Sequence, residues 1–171
     1  MSGEAGKFVT IAPAIQGLYV SPVSGNVPAQ TVKMHKPPRF VSAQCRINNY
    51  SVVLKNFTLD AGNVIARRMD ANASNGVLEY VITDRLPTAS FVIDMTETCC
   101  LDLFNLLEQT SEFPISLRVG VNSLNRCTVA IPKACLVDQV AYSSIDGILA
   151  ATLSVRLYPT NGDDEMTITF D

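Results

Sequence analysis

The stretch Leu149-Ala-Ala-Thr-Leu-Ser-Val-Arg-Leu157 alternates apolar side chains with smaller or more polar ones. Successive side chains of a β-strand point to opposite faces, so a period of two predicts a strand with one buried face. The same alternation recurs in residues 91–95, 115–121 and 166–170. The chain is therefore expected to be mainly β.

Further strands are predicted where apolar runs lie between clusters of turn residues. They cover residues 50–59, 62–69, 77–84, 126–131 and 135–142, which brings the expected total to about nine strands. Turns such as Asn161-Gly162 suit these boundaries, because Asn and Gly tolerate the positive φ of a tight hairpin.

One segment departs from the strand pattern. Leu101, Phe104 and Leu107 recur near helical spacing, with acidic residues between and beside them. This predicts one amphipathic α-helix over roughly residues 98–110. Its apolar stripe is expected to cover one open side of a β-sandwich or barrel.

The first forty residues differ in composition from the rest. They hold five of the nine prolines, and proline fixes φ and removes a hydrogen-bond donor. Residues 8–11 and 15–20 are nevertheless apolar. We expect residues 1–40 to be a Pro-rich extended arm or loop that docks on a neighbouring subunit or forms an extended hairpin, and residues 41–171 to form one β-sandwich domain. The alternative is a strand and loop packed on the same domain.

Composition and charge limit the possible classes of protein. Hydrophobic residues make up 47% of the chain and charged residues 17%, which suits a packed core with some surface covered by partners. The net charge of −3 divides into +3 for residues 1–40 and −6 for the remainder. A basic arm on an acidic body suggests that the arm lies on an acidic surface; the alternative is that its cations only aid solubility.

Targeting and membrane signals are not expected either. No apolar run approaches the roughly 20 residues of a membrane helix, and the N-terminus lacks the apolar region of a secretion signal. We therefore expect a chain made in the cytosol, with no membrane partner. The odd count of five cysteines argues against a disulfide framework and favours buried apolar thiols.

No constellation of residues indicates catalysis. His35 is the only histidine, and no phosphate-binding glycine loop or serine nucleophile motif is present. The acidic run Asp163-Asp164-Glu165 lacks the order of a calcium loop and better suits a hairpin turn. We expect no enzyme activity, no cofactor and no metal.

Several short fragments, taken in their order and spacing, carry a family resemblance. They are Phe57-Thr-Leu-Asp-Ala-Gly-Asn63, Arg67-Arg68, Tyr80-Val-Ile-Thr-Asp-Arg-Leu-Pro87, Ser144-Ile-Asp-Gly147 and Asn161-Gly-Asp-Asp-Glu-Met-Thr-Ile-Thr-Phe170. Together they resemble the tail-tube (major tail) proteins of long-tailed bacteriophages. The resemblance covers about residues 50–171, and residues 1–40 match less well.

The resemblance implies a two-sheet β-sandwich or barrel with a flanking helix. It also implies rings, typically hexameric, that stack into a hollow tube through which double-stranded DNA passes without specific binding. The chain has no internal repeat, so a hexamer is expected rather than a trimeric pseudo-hexamer. Its place would be the virion tail, assembled in the bacterial host cytoplasm, with other tail proteins at the tube ends. The alternative is a monomeric or single-ring tail-completion, terminator or adaptor protein.

Two sets of residues are candidates for this assembly. The candidate subunit contacts are Phe8, Ile11, Leu18, Tyr19, Arg67, Arg68, Asp70, Asn75 and Arg85. The candidate lumen residues are Asp60, Glu79, Asp84 and Asp94, since acidic groups repel DNA phosphates. We expect edges near residues 62–70 and 77–84 to pair across subunits, and loop 70–76 to join stacked rings. The alternatives are exposed cross-strand ion pairs for the arginines and turn caps for the carboxylates.

Overall fold

A computed structural model describes residues 1–26, 29, 39–95, 103–109, 111–121 and 125–170. These residues form a mainly β protein with a large antiparallel sheet, a small second sheet and one short helix, which confirms the predicted fold class. The helix is α1 (Leu103–Glu108). The strands are β1 (Ser2–Glu4), β2 (Gln44–Ile47), β3 (Tyr50–Asp60), β4 (Asn63–Met69), β5 (Val77–Arg85), β6 (Thr88–Asp94), β7 (Phe113–Val119), β8 (Cys127–Leu136), β9 (Ala141–Ile145), β10 (Ile148–Leu157) and β11 (Thr167–Phe170).

Six strands of the large sheet close into a barrel. The order is β8-β7-β2-β3-β6-β10, and the end of β10 returns to β8 through pairs such as Val155–Leu136. Closure satisfies the backbone groups that an open sheet would leave at its edges. Three strands are added outside this ring: β1 on β3, β9 on β10 and β11 on β8. The outer edges of β9 and β11 stay unpaired within the described residues.

The alternation of the sequence fills the barrel. Ile115, Leu117 and Val119 of β7 point inward and are at most 2% exposed, while Ser116 between them faces outward. Phe57 meets Phe40 at 5.3 Å between ring centroids, in the same core. The interior is therefore a continuous apolar core, the largest stabilising contribution in a fold of this kind.

The helix is shorter, among described residues, than the predicted span. Leu103 and Leu106 of α1 are buried in the barrel core, and the helix packs against β8. The beginning of the predicted span, residues 98–102, lies outside the described residues. The expected role of an amphipathic helix covering part of the β-structure is confirmed for Leu103–Glu108.

The predicted pair of strands at 126–131 and 135–142 is wrong. Cys127–Leu136 is one strand that runs through Pro132, and β9 begins only at Ala141. The register between β7 and β8 shifts at this point, so the missing N–H of the proline falls on an irregularity of the ladder. The short strands β1 and β2 were not predicted, because three or four residues are too few to show alternation.

The N-terminal residues begin on the barrel and then leave it. The terminal ammonium of Met1 donates to the carbonyl oxygen of Leu59 at 2.7 Å, and β1 extends the ladder of β3. Residues 11–26 contain no strand, and every one of them is exposed. The arm boundary at residue 40 and its docking on a neighbour stay predictions. The described residues include no helix long and apolar enough to cross a membrane.

Candidate assembly surface

Strands β4 and β5 form a hairpin that stands apart from the barrel. They pair only with each other, and no other described strand or helix packs against them. Every residue of β4 is exposed, and no residue of β5 is buried. An isolated two-stranded hairpin is marginally stable at best in water. A hairpin of this kind therefore needs cover from elsewhere.

Both faces of the hairpin carry apolar side chains. The register places Ile65 opposite Ile82 on one face, and on the other it places Ala66 opposite Val81. A sheet with one buried and one solvated face would be polar on its second side. The apolar side chains that the hairpin exposes are Val64, Ile65, Met69, Leu78, Val81 and Ile82.

The exposed N-terminal residues follow the hairpin toward its tip. Pro13 and Ala14 line the same groove as Ile65, near the hairpin base. At the tip, the Asn75 side-chain amide donates to the carbonyl oxygen of Tyr19 at 3.4 Å. Two predicted contact residues are thus brought together within one chain. We call residues 11–26 and 63–85 together the assembly surface.

The apolar exposure of the chain is concentrated on this surface. Phe8, Ile11, Leu18 and Tyr19, all predicted contacts, have 45–71% of their area exposed, and Phe8 lies under the Arg39 guanidinium at 5.7 Å. The assembly surface and Phe8 hold more than half of the large apolar side chains that the described residues expose. Contiguous exposed apolar patches mark interaction sites.

Two of the candidate contact arginines form ion pairs inside the chain. Arg68 Nη1 lies 2.7 Å from Glu79 Oε1, across the hairpin, with both side chains about half exposed. Arg85 Nη1 lies 3.2 Å from Glu165 Oε2, at the junction of the hairpin and the C-terminal turn. For Arg68 this is the cross-strand alternative, and for Arg85 the partner is a residue that the sequence did not suggest. Arg67 lies opposite Tyr80.

The predicted acidic residues do not gather on one surface. Asp60 accepts from the Gly62 N–H at 3.0 Å, as turn-capping carboxylates do, and Asp84, inside β5, accepts from the Arg85 N–H at 2.8 Å. Glu79 is bound by Arg68. Asp94 is only 7% exposed and faces Lys55 Nζ at 4.0 Å, which does not suit a group expected to line a water-filled lumen.

Asp70 also acts as a turn cap, at the tip of the hairpin. Its Oδ1 accepts from the backbone N–H of Asn72 at 2.8 Å and from the Asn72 side chain at 3.1 Å. These bonds shape the loop that presents Asn75. The contact of this loop with a second ring stays a prediction.

The thiol and metal chemistry can be described for part of the chain. Cys45, Cys127 and Cys135 are buried, as predicted, and burial raises the pKa of Cys45 to about 12. Among the described residues, no group of three His, Cys, Asp or Glu side chains is placed to hold a metal ion. Cys99, Cys100 and His35 lie outside the described residues.

Sequence reasoning overlooked the apolar residues of the hairpin. The signal was present in Val64-Ile-Ala66 and Val81-Ile82, where apolar side chains occupy consecutive positions and so point to both faces. Exposed apolar residues of the β9–β10 hairpin were also missed. Tyr142 of β9 and Ile148 and Leu149 of β10 are 42–50% exposed.

Comparison with known proteins adds no family to this description. No protein-family model matches the sequence, and no curated protein is similar enough to count as a relative. The case for a function rests on the sequence fragments and on the assembly surface.

Proposed function

We propose that this protein is the tube subunit of a long bacteriophage tail, which assembles with copies of itself into stacked rings around a channel for DNA. Two kinds of support converge on this function. The first is the resemblance of the ordered fragments between residues 57 and 170 to tail-tube proteins. The second is a barrel complete in itself that carries an uncovered apolar hairpin.

The single observation that carries the proposal is the hairpin. A structure that is exposed on both faces and along both edges gains little stability on its own. Burial of its apolar side chains against another chain would supply about 25 cal/mol for each Å² removed from water. A strand edge adds specificity, since its free N–H and C=O groups pair only with another extended segment.

A second open surface favours a ring over a simple dimer. A ring needs two different complementary surfaces on each subunit, which meet head to tail and close by rotation. The hairpin supplies one. The β9–β10 hairpin supplies another, on a different part of the barrel: β9 has an open outer edge among the described residues, and Tyr142, Ile148 and Leu149 are exposed beside it.

A channel for DNA requires a face that does not hold phosphates. Across β3, β6 and β10, Thr58, Ser90 and Ser154 lie side by side on the outside of the barrel. Short hydroxyl side chains keep water at the surface. The next row of the same face, Asp60, Thr88 and Arg156, holds one carboxylate and one cation. This face, which includes Asp60 of the predicted acidic set, is the candidate for the lumen.

The proposal is tested by imaging the purified chain by negative-stain electron microscopy with light scattering over a range of concentrations. We expect rings or hollow tubes with a regular stacking repeat. A wild-type chain that stays monomeric at every concentration would contradict the proposal and favour the terminator or adaptor alternative.

Matched variants link assembly to the hairpin. Val64→Lys with Val81→Lys puts two cations on one hairpin face and should give a folded monomer. Val121→Lys, at a residue 71% exposed beyond β7 and outside the assembly surface, is the control and should still assemble. Tubes from the double variant would remove the hairpin from the proposal.

A further inference from the structure

The hairpin joins the barrel at a break in the hydrogen-bonded ladder. The ladder of β3 and β6 ends at the pair Asp60–Thr88, and that of β4 and β5 begins at Asn63–Arg85. Residues 61–62 and 86–87 connect the two sheets, and Pro87 has no N–H to donate. Such a short irregular connection is where an element can swing relative to its neighbour.

Glycine holds the two connectors together at this pivot. The Leu86 N–H donates to the Gly62 carbonyl oxygen at 3.0 Å. Gly62 has a φ of 57°, and a Cβ atom there would lie 2.1 Å from the Leu86 oxygen. Only glycine fits this crossing. This contact fixes where the two connectors meet. Because it lies at the pivot itself, it does not fix the direction of the hairpin.

A side chain beyond the pivot ties the hairpin to the C-terminal turn. Arg85 Nη1, on the last residue of β5, lies 3.2 Å from Glu165 Oε2 and 3.2 Å from Asp163 Oδ1. The Glu165 side chain is 12% exposed and that of Asp163 is 88% exposed. A charge-assisted bond that is shielded from water and salt is stronger than an exposed one, so Glu165 is the main partner.

The turn that carries Glu165 is itself fixed to the barrel. The Asp164 carboxylate accepts from the backbone N–H groups of Thr160 at 2.7 Å and Asn161 at 3.1 Å, and these bonds lower the pKa of Asp164. The turn runs into β11, which pairs with β8. Glu165 therefore belongs mechanically to the barrel, and Arg85 to the hairpin.

We propose that the Arg85–Glu165 contact is a latch that sets the direction in which the hairpin leaves the barrel, and that assembly depends on this direction. This inference rests on the proposed function, because a ring closes only if each subunit presents its contact at a defined angle. Without the latch the hairpin keeps its own ladder but points in a wider range of directions. A smaller fraction of molecules then has the hairpin in the direction that assembly needs, and the apparent affinity of assembly falls in proportion to that fraction. Arg85 and Glu165 are positioning residues.

The direction of the hairpin is measured on monomers. Non-natural amino acids at Asn72, in the tip loop, and at Asp138, in the loop after β8, carry spin labels whose distance distribution is recorded. The chain also carries Val64→Lys and Val81→Lys, so that it stays monomeric. We expect Arg85→Gln and Glu165→Gln each to broaden the distribution about twofold, because the hairpin then populates several directions.

Arg68→Gln is the matched control for this measurement. Its ion pair with Glu79 has the same chemistry as the latch but lies wholly within the hairpin. It should leave the distance distribution unchanged. Equal distributions for wild type, Arg85→Gln and Glu165→Gln would overturn the latch. Since monomers are used, this outcome does not depend on whether the wild-type chain forms tubes.

The link to assembly is measured separately, with the hairpin face intact. Arg85→Gln and Glu165→Gln should raise the concentration needed for assembly about fivefold, while Arg85→Lys, which keeps the charge, should raise it less. Lys133→Gln is the control, since Lys133 pairs with Glu112 on the barrel surface at 3.2 Å. If the latch variants broaden the distances yet assemble like wild type, the dependence of assembly on the latch is wrong. If wild type never assembles, the proposed function fails instead.

Discussion

The barrel and the hairpin use similar side chains to opposite effect. In β10, Leu153 and Val155 are 1% exposed because alternation directs them into a closed interior. In β4 and β5, Val64 and Ile82 are almost half exposed, since apolar positions fall on both faces and no other described strand or helix packs against them. Burial therefore depends on partners rather than on composition. The barrel contains its own partner, and in the proposed assembly copies of the chain supply the partner of the hairpin.

The largest expected difference between barrel and hairpin is in the free energy of unfolding when an apolar side chain is truncated in each. Phe91→Ala removes a ring that is 2% exposed in the barrel and should lower the free energy of unfolding by about 3–5 kcal/mol. Ile82→Ala, at 49% exposed, should change it by only about 0.5 kcal/mol in the monomer. Urea denaturation at low protein concentration measures both. Similar costs at the two sites would mean that the hairpin is already covered within one chain.

A smaller effect is expected at the junction of the two regions. Gly62→Ala should cost about 2–3 kcal/mol, because the residue has a positive φ and its Cβ would meet the Leu86 oxygen. Gly76 is the control: its φ is also positive, at 68°, but open space surrounds it, so Gly76→Ala should cost about 1 kcal/mol. Chemical denaturation and amide exchange of the hairpin measure the difference. Equal losses of unfolding free energy for the two variants would show that the backbone around Gly62 can move to accommodate a Cβ atom.

Over the one pH unit that is measured, the smallest effect is a dependence on pH that belongs to the barrel alone. Burial raises the pKa of Cys45 from 9.0 to about 12. In the unfolded chain the thiol ionises above pH 9, while the folded thiol stays protonated until about pH 12. The raised pKa thus contributes stability that is complete below pH 9 and decreases between pH 9 and 12, by about 1.4 kcal/mol for each pH unit.

Cys45→Ala provides the control for this dependence. Other groups also titrate above pH 9, so the informative quantity is the difference between the pH profiles of wild type and Cys45→Ala. We expect the wild-type free energy of unfolding to fall more steeply from pH 9 to 10, by about 1 kcal/mol, because the unfolded thiol is only half ionised at pH 9. Parallel profiles would contradict a thiol that remains protonated in the barrel.

Much of the fold could be predicted from the period of two. Strands β7 and β10 show alternation because one of their faces meets the core, and turn residues mark most of their ends. In β11 the same pattern meets the core only in part, since Phe170 is 67% exposed. The continuity of β8 through Pro132 could not be predicted, because it depends on a register shift against β7. The closure of the barrel could not be predicted either, because the pairing of Val155 with Leu136 is a tertiary contact that leaves no pattern in the local sequence.

The sequence predicted the strands of the candidate site but not their contacts. Residues 62–70 and 77–84 form β4 and β5, as predicted, and their place at an interface stays a prediction. The partners of Arg68 and Arg85 were not predictable, since charge alone does not reveal which carboxylate lies within reach. Glu165 stands eighty residues from Arg85 along the chain. Glu165 reaches Arg85 only because the fold brings the C-terminal turn, which precedes β11, beside the hairpin base.

Amide hydrogen exchange of the wild-type chain at two protein concentrations shows whether copies of the chain cover the hairpin. In dilute solution we expect fast exchange in residues 63–85 and slow exchange in the barrel strands. At high concentration the hairpin amides should become as protected as those of the barrel, while the barrel itself changes little. Hairpin exchange that stays fast at every concentration, with no larger species in solution, would mean that copies of the chain do not cover the hairpin.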